Sequence, residues 1–504
     1  MDDTNYKGAS LSAKELLSWR PIRHSADMEL DGELSTLVAR SRDLIRNNGI
    51  ASGAIQTLVD NVVGNGLKLV SIPDHRILGL DIDYLEEWAR KVESLWRIWA
   101  ESRFCDAARK LNFNSQTALI FRSVIENGEA LALVLWRETK DCPFATCLQL
   151  VEPDRLSNPN FKQNSEFLRD GIEINQYGEA ENYWISKYYL NDYYYGQGVN
   201  TWQKIAAQTP FGRKLILHVH HPERIGQNRG KPLFTSIMPL FKMLDHYERS
   251  ELKASVVNAM IAAFIETPMD SESIAEMFGE SVDDYLEKRK DWSVKLEGGS
   301  IIPVFPGDKV SAFTPSRPNS SYAAFVENVL RHIGTGLNIP LELLMKDFSK
   351  TNYSSARAAL IEAWRFFNGR RSWIINYWAK PVFELWLEES VNKGLIEAHN
   401  FYEKKAAWCR CKWIGPGRGW VDPVKEAQAS QIRMESGLST LEDECASQGL
   451  DWEEVLMQRV RELKRMRELG LSTSGDGNMQ LINQEENTNE NMEQNNQRTV
   501  GNDE

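Results

Sequence analysis

Apolar residues recur at helical spacing from Asp27 to about Val63, as in Leu34, Leu37, Val38, Leu44 and Ile45. A break at Gly49 divides the stretch into two helices, and Gly64 and Gly66 end the second. A further helix is predicted from about Tyr84 to Ala100. Trp88, Val92, Leu95, Trp96 and Trp99 share one of its faces, a stripe suited to core packing. Residues 1–26, ahead of these helices, read as a loose arm. From about 110 to 222 the texture is mixed. A helix beginning near Asn114 leads into β-runs at 128–136, 146–153 and 214–221, with a hairpin over 171–186 turning at Tyr177-Gly178.

After Pro232 the pattern becomes helical again. Thr235 to Ile265 reads as one long helix, with Ser236 as a possible cap and Pro239 in the first turn, where a missing N–H costs little. About 30 residues at 1.5 Å each give roughly 45 Å, a rod suited to an assembly. Residues 268–318 form an insert. An acidic helical piece from Ser271 to Arg289 precedes two short strands that flank the turn Pro306-Gly307-Asp308. A helix from Ser320 to Leu337 returns. The polar stretch Lys346–Tyr353 is a loop, and a very long helix starts at Ser354 or Ser355 and runs to about Asn392, kinked by Pro381. Its aromatic residues Trp364, Phe367, Trp378 and Trp386 are spaced for burial, with stacking platforms for single-stranded nucleic acid as the sharper alternative.

Start signals mark three short helices between 422 and 469. Asp422-Pro423 supplies an N-cap with a first-turn proline, and Ser439…Glu442 and Asp451…Glu454 each fit a capping box. The basic run 458–470 reads as an amphipathic helix with Val460, Leu463, Met466 and Leu469 inward, and could touch phosphate. Residues 471–504 are rich in Asn, Gln and Glu without aromatics, the composition of a disordered tail. The fold class predicted is α+β, mostly helical.

Composition narrows the function. Among 504 residues, 42% are apolar and 26% charged, which excludes wholesale disorder and suggests about three structural units. Lys plus Arg number 59 against 71 Asp plus Glu, a net charge of −12. Such a chain is poorly suited to gripping nucleic acid over a broad surface, though it could let DNA slide past. Six irregularly spaced cysteines point to reduced thiols. The first residues have no apolar leader and no run approaches a membrane span, so a soluble cytoplasmic product with no membrane partner is expected.

Enzyme signatures are missing. The sequence has no phosphate-binding G-x-x-x-x-G-K-[ST] and no G-x-S-x-G or H-E-x-x-H. The glycine-rich Gly415–Gly419 lacks the Lys-Ser/Thr and reads as a turn. His218 and His220 would share a strand face and could converge on a metal, but nothing marks a third ligand. Cys142/Cys147 and Cys409/Cys411 lack partners at zinc spacing. No metal, catalytic residue or cofactor is assigned. In the polar loop, Lys346 and Lys350, with Asp347, Ser349, Thr351 and Asn352, could make weak, reversible phosphate contacts.

Several blocks, in order, resemble the lambda-type portal proteins of tailed phages. They are 41–70, 151–160, 218–234, the turn Phe305-Pro306-Gly307-Asp308, 352–371, 411–429 and 437–455, within a match spanning about 25–470. The resemblance implies a portal fold assembling into a ring, usually of twelve subunits, at one capsid vertex. Double-stranded DNA would enter and leave through it without sequence-specific contacts. It implies an N-terminal arm (1–26), a wing (27–232), stem helices (233–267 and 319–345) and a clip (268–318). A tunnel loop (346–353), a long kinked wing helix with a return strand (354–421), a helical crown (422–470) and the tail (471–504) follow. The loop residues named above would face DNA, and Pro306, Gly307 and Asp308 would dock the terminase or adaptor. Implied partners are further copies of the chain, the terminase large subunit, major capsid and scaffold proteins, and head-completion or tail adaptors. The implied location is the virion, after assembly in the host cytoplasm, and no enzyme activity is implied. The alternatives are a metal-dependent nuclease using His218 and His220, and another phage connector ring.

Overall fold

The computed structural model describes residues 6–189, 201–260, 264–266, isolated positions between 272 and 287, 309–311, 322–419 and 422–471. The chain folds as two units, each built from separate stretches. The first comprises 1–57, 122–132 and 150–366; the second comprises 58–121, 133–149 and 367–504.

In the first unit a short helix, Ala26–Leu30, is capped by Ser25 and followed by Leu34–Asn47, which buries Val38, Leu44 and Ile45. The next helix, Gly49–Val62, begins at the predicted glycine. A four-stranded antiparallel meander runs Leu168–Arg169, Ile172–Ile174, Ala180–Ser186 and Trp202–Ala206. Its hairpin turns where predicted. The Asn175 carboxamide oxygen accepts from the N–H groups of Tyr177 and Glu179, and Gly178 takes φ +81°. Strands Ile216–His220 and Glu129–Trp136, the latter passing into the second unit at Leu133, form within the predicted β-runs. Gly128 and Gly230 let two backbones cross beside them: a Cβ on Gly230 would lie 2.0 Å from the Gly128 carbonyl oxygen.

The rod helix spans Met238–Met260, with Pro239 in its first turn. It does not run on to Ile265. Phe264–Glu266 is a strand, paired antiparallel with Lys309–Ser311. Two β-favouring residues just ahead of Thr267-Pro268, where proline disfavours helix in the residue before it, gain ladder bonds from a distant strand. Of the two strands expected around the 306–308 turn, the following one is present at Lys309–Ser311, and its partner is 264–266. Residues 301–305 lie outside the described residues. The returning helix, Tyr322–Leu337, meets the rod through Tyr247, which stacks on Tyr322 at 5.7 Å and lies edge-on to Phe325 at 4.9 Å.

The second unit is organised by indoles. The helix Ile82–Ala100 buries Trp88, Val92, Trp96 and Trp99. Trp96 sits within 6 Å of Trp99, Phe113, Phe383, Trp386 and Trp413. Each edge-to-face pair adds about 0.5–1.5 kcal/mol beyond area burial. The strand Lys68–Ser71 pairs antiparallel with Cys411–Ile414, bringing Leu69 opposite Trp413. The buried Glu389 carboxylate accepts from the Ala145 and Thr146 amides, 2.5 and 2.8 Å away.

The long helix starts slightly earlier than predicted, at Tyr353, because Asn352 caps it by accepting from the Ser355 N–H at 2.8 Å. Pro381 acts one turn upstream. Lacking an N–H, it cannot serve the carbonyl four residues back, and Ile375–Ala379 widens into a π turn before Lys380–Asn392 continues. The three C-terminal helices are Pro423–Glu435, Leu441–Ser447 and Trp452–Glu468. The middle cap is Thr440, not Ser439. The Ser439 N–H is already bonded to the Arg433 carbonyl that closes the preceding helix, so the next hydroxyl accepts from the Asp443 N–H. The arm expected at 1–26 carries one turn of 3-10 helix, Lys7–Ala9, and exposed side chains up to the Ser25 cap. Of the expected disordered tail, 471–504, all but Leu471 lies outside the described residues. Among the described residues, no helix is long and apolar enough to cross a membrane.

Candidate nucleic-acid interface

Between Tyr322–Leu337 and the helix starting at Tyr353, the chain makes one short helix, Leu341–Met345, and then the polar loop. Gly334 is required at the entrance, since a Cβ there would lie 2.6 Å from the Ile339 carbonyl oxygen. Lys346 takes the left-handed conformation, φ +56°, and its N–H returns to the Glu342 carbonyl, which also accepts from Asp347. The Asp347 carboxylate accepts from the Ser349 N–H at 2.9 Å, and this bonding with Ser349 holds the carboxyl below its usual range. Thr351 donates from both its N–H and its hydroxyl to the Phe348 carbonyl, at 3.2 and 3.0 Å. Asn352 is spent on the helix cap.

The polar side chains of the loop therefore hold its own backbone, and the two lysines are what project. Lys350 Nζ lies 3.4 Å from Glu327 with its side chain 77% exposed. Glu327 also takes Arg331 at 2.7 Å, and these two bonds, Arg331 first, lower its carboxyl. Lys346 is exposed and has no acidic partner among the described residues. Chemically the loop offers ammonium groups on a pinned backbone, which suits contact with phosphate as point charges. Pro306, Gly307 and Asp308, the other predicted site, lie outside the described residues.

The histidine pair follows a different logic. His218 and His220 do share a face, their rings 4.4 Å apart. His218 Nε2 sits 3.0 Å from Glu129 Oε2, and His220 Nε2 faces the Gln227 carbonyl at 3.3 Å. Burial, then the neighbouring His218, pushes His220 down to about 4. Glu129 is claimed by Arg229, whose Nε and Nη2 reach it at 2.8 and 2.5 Å while Nη1 donates to the carbonyls of Leu156 and Asp170. Burial alone would raise the Glu129 carboxyl; the Arg229 guanidinium, then His218, hold it well below the usual range. No cluster of three or more metal-ligating side chains occurs among the described residues. Sequence reading missed Glu129 and Arg229. An acid inside an otherwise apolar strand was the available signal.

Other candidates resolve into packing. Trp378 and Trp386 are fully buried and cannot stack on bases. Gly415 lies against the Arg371 side chain and Gly417 against the Gln448 backbone, so these glycines serve close approach. Cys142, Cys147 and Cys409 are buried. The predicted inward stripe of the basic helix is covered only in part in the single chain: Leu463 and Met466 are half-buried, while Val460 is 62% and Leu469 59% exposed.

A family model described as phage portal protein, lambda family, matches residues 12–371, a span that contains the whole loop. The chain belongs to that family. This portal protein is 34% identical over 486 residues to "Portal protein B" of Escherichia phage lambda, covering 92% of this chain and 90% of the relative. It is equally identical over 480 residues to the "Portal protein" of Escherichia phage N15, covering 91% and 89%. It is also similar to a chain from a solved structure titled "Virion of native gene transfer agent (GTA) particle". That match has 11% identity and a TM-score of 0.44, and covers 83% of this portal protein and 91% of the other chain.

Proposed function

We propose that this portal protein assembles into a closed ring at a capsid vertex, through which double-stranded DNA is packaged by a separate terminase and later ejected. The observation that carries the reading is the family match extending through the loop that follows the paired helices. The ring is a structural conduit, not an enzyme: the sequence carries no phosphate-binding motif. In this reading 27–232 and 354–421 form the wing, 233–267 and 319–345 the stem, 268–318 the clip and 422–470 the crown. The clip turn at Pro306–Asp308 docks the terminase and then the head-completion proteins. The loop from Lys346 to Asn352 faces the channel, as its exposed lysines and self-bonded backbone support. With a net charge of −12 per copy, a mostly acidic ring repels phosphate while a few lysines give transient contact.

The first test is native mass with negative-stain class averages of the purified chain. A closed ring of about twelve copies with a central hole is expected; a monomer in the presence of capsid partners overturns the assembly. The loop is tested separately by Lys346→Ala with Lys350→Ala. Ring formation should survive and DNA packaging or retention should fall, whereas normal packaging removes the loop from the mechanism.

A further inference from the structure

A cavity of about 340 Å³ opens in the second unit beside the strand Lys68–Ser71. Its apolar lining comprises the buried Leu85 and the more exposed Ile72 and Ile82. Glu86, Glu93, Glu453 and the buried Asp451 line it as well, with Arg90 and His75. Arg90 is committed to Glu86 and Glu453, at 3.4 and 3.6 Å. Two groups in the lining are short of partners. Glu93 spends one carboxylate oxygen on the Ser71 N–H at 2.7 Å, and its other oxygen has no partner among the described residues. Ser71 is 6% exposed, and its Oγ also lacks one among them. A buried hydroxyl left unpaired costs free energy unless something fills the site. Burial pushes the Glu93 carboxyl up to about 7; the Ser71 N–H and Arg97 pull it down, and the nearby Asp451 adds to the rise.

The chain carries a segment of matching chemistry. Residues 6–25 hold Lys7, Lys14, Arg20 and Arg23 against Glu15 alone, in a protein that is otherwise acidic. Between the cations stand Leu17, Trp19 and Ile22, with Trp19 71% and Ile22 75% exposed. At the end of the arm Arg224 donates to the His24 carbonyl at 3.0 Å and Asn228 bonds Asp27. Extended, residues 6–23 reach at most about 60 Å, ample for a neighbouring molecule.

We propose that this cavity receives the Trp19-Arg20-Pro21-Ile22-Arg23 segment of a second copy, with a guanidinium against Glu93 and Ser71 and the apolar side chains on Ile72, Ile82 and Leu85. The inference rests on the ring reading in requiring several copies side by side.

The test titrates a labelled peptide of residues 6–25 into the full-length chain by fluorescence anisotropy. In parallel, a mixture of light and heavy-nitrogen chains is coupled by zero-length carbodiimide crosslinking. Saturable binding is expected, weakened at least about tenfold when the peptide carries Arg20→Glu and Arg23→Glu, and similarly when the protein carries Glu93→Gln with Glu453→Gln. In rings whose own arms fill the site, mixed-isotope links from Lys14 to Glu86 or Glu453 are expected instead. Rings with neither peptide binding nor such links overturn the inference and leave the ring reading standing. Binding indifferent to Glu93 and Glu453 also overturns it. A monomer that binds the peptide through those residues supports the cavity assignment while counting against the ring.

Discussion

Replacing Glu129 with glutamine removes the charge that Arg229 is buried to meet. Arg229 and Glu129 are almost wholly enclosed, their side chains 8% and 1% exposed. Breaking a buried pair by removing one partner costs about 3–5 kcal/mol, because the other charge stays desolvated. Glu129→Gln keeps the shape and one acceptor, so it should fall near 3 kcal/mol. Arg229→Met also strips donors from the carbonyls of Leu156 and Asp170 and belongs near the upper end, about 5 kcal/mol. Nearby His220, held neutral by burial, cannot replace the lost charge at pH 7. The readout is amide hydrogen exchange in peptides covering Glu129–Trp136 and Ile216–His220, which reports opening of those strands. At 1.36 kcal/mol per decade, protection should fall about a hundredfold for Glu129→Gln and a few thousandfold for Arg229→Met. Peptides from Lys380–Asn392, in the second unit, should change little, whereas Glu129–Ala132 and Ile216–His220 lie in the first. The double variant should cost less than the sum of the two singles. A loss under about tenfold in either single variant, or an equal loss in both units, would refute the reasoning.

The same strands should respond to pH. His220 is pushed down from 6.5 to about 4, so its contribution is fully present above pH 6.5 and is lost as pH falls through 4; protection of Ile216–His220, taken relative to the intrinsic exchange rate at each pH, should fall over that window and do so less in His220→Leu. Gly230→Ala places a Cβ 2.0 Å from the Gly128 carbonyl and should cost at least about 3 kcal/mol, whereas Gly53→Ala, with nothing within 4 Å in a helix, should stabilise by about 0.5–1 kcal/mol in thermal melts. Thr440→Ala should cost about 1 kcal/mol in the exchange of Leu441–Ser447, and a change of only a few tenths would remove the cap from Thr440.

Local chemistry was legible in the sequence where a few adjacent residues decide the outcome. Asp422-Pro423 and Asp451 start helices as read, and the hairpin turns at Tyr177-Gly178 as read. The Ser439 cap failed by one residue because that residue is needed to end the preceding helix, a competition that the capping-box pattern does not encode. Distance in sequence hid more. Glu129 and Arg229 are a hundred residues apart, and nothing local says that an acid in an apolar strand will meet a guanidinium. Phe264–Glu266 continued a helical pattern until a partner strand at Lys309–Ser311 outbid it. Of the proposed site, the loop's place between helices was readable, but the commitment of Asp347, Thr351 and Asn352 to its own backbone was not.

The stripe Val460, Leu463, Met466 and Leu469 shows a further limit, and it bears on assembly. Helical periodicity reports that one face wants to leave water; it does not say whether the cover comes from the same chain. In the single chain Val460 and Leu469 are open, and so are Leu456, Met457, Val424 and Ile432 on the same three-helix segment. A chain with a net charge of −12 has polar residues to spare for a solvated face, yet this helix keeps its apolar ones. The arm tells the same story with Leu11, Leu17, Trp19 and Ile22. Both ends of the described chain thus carry apolar surface that its own fold leaves uncovered, which is the state expected of a subunit whose core is completed by its neighbours. The ring proposed for this family member would supply that cover without any new fold.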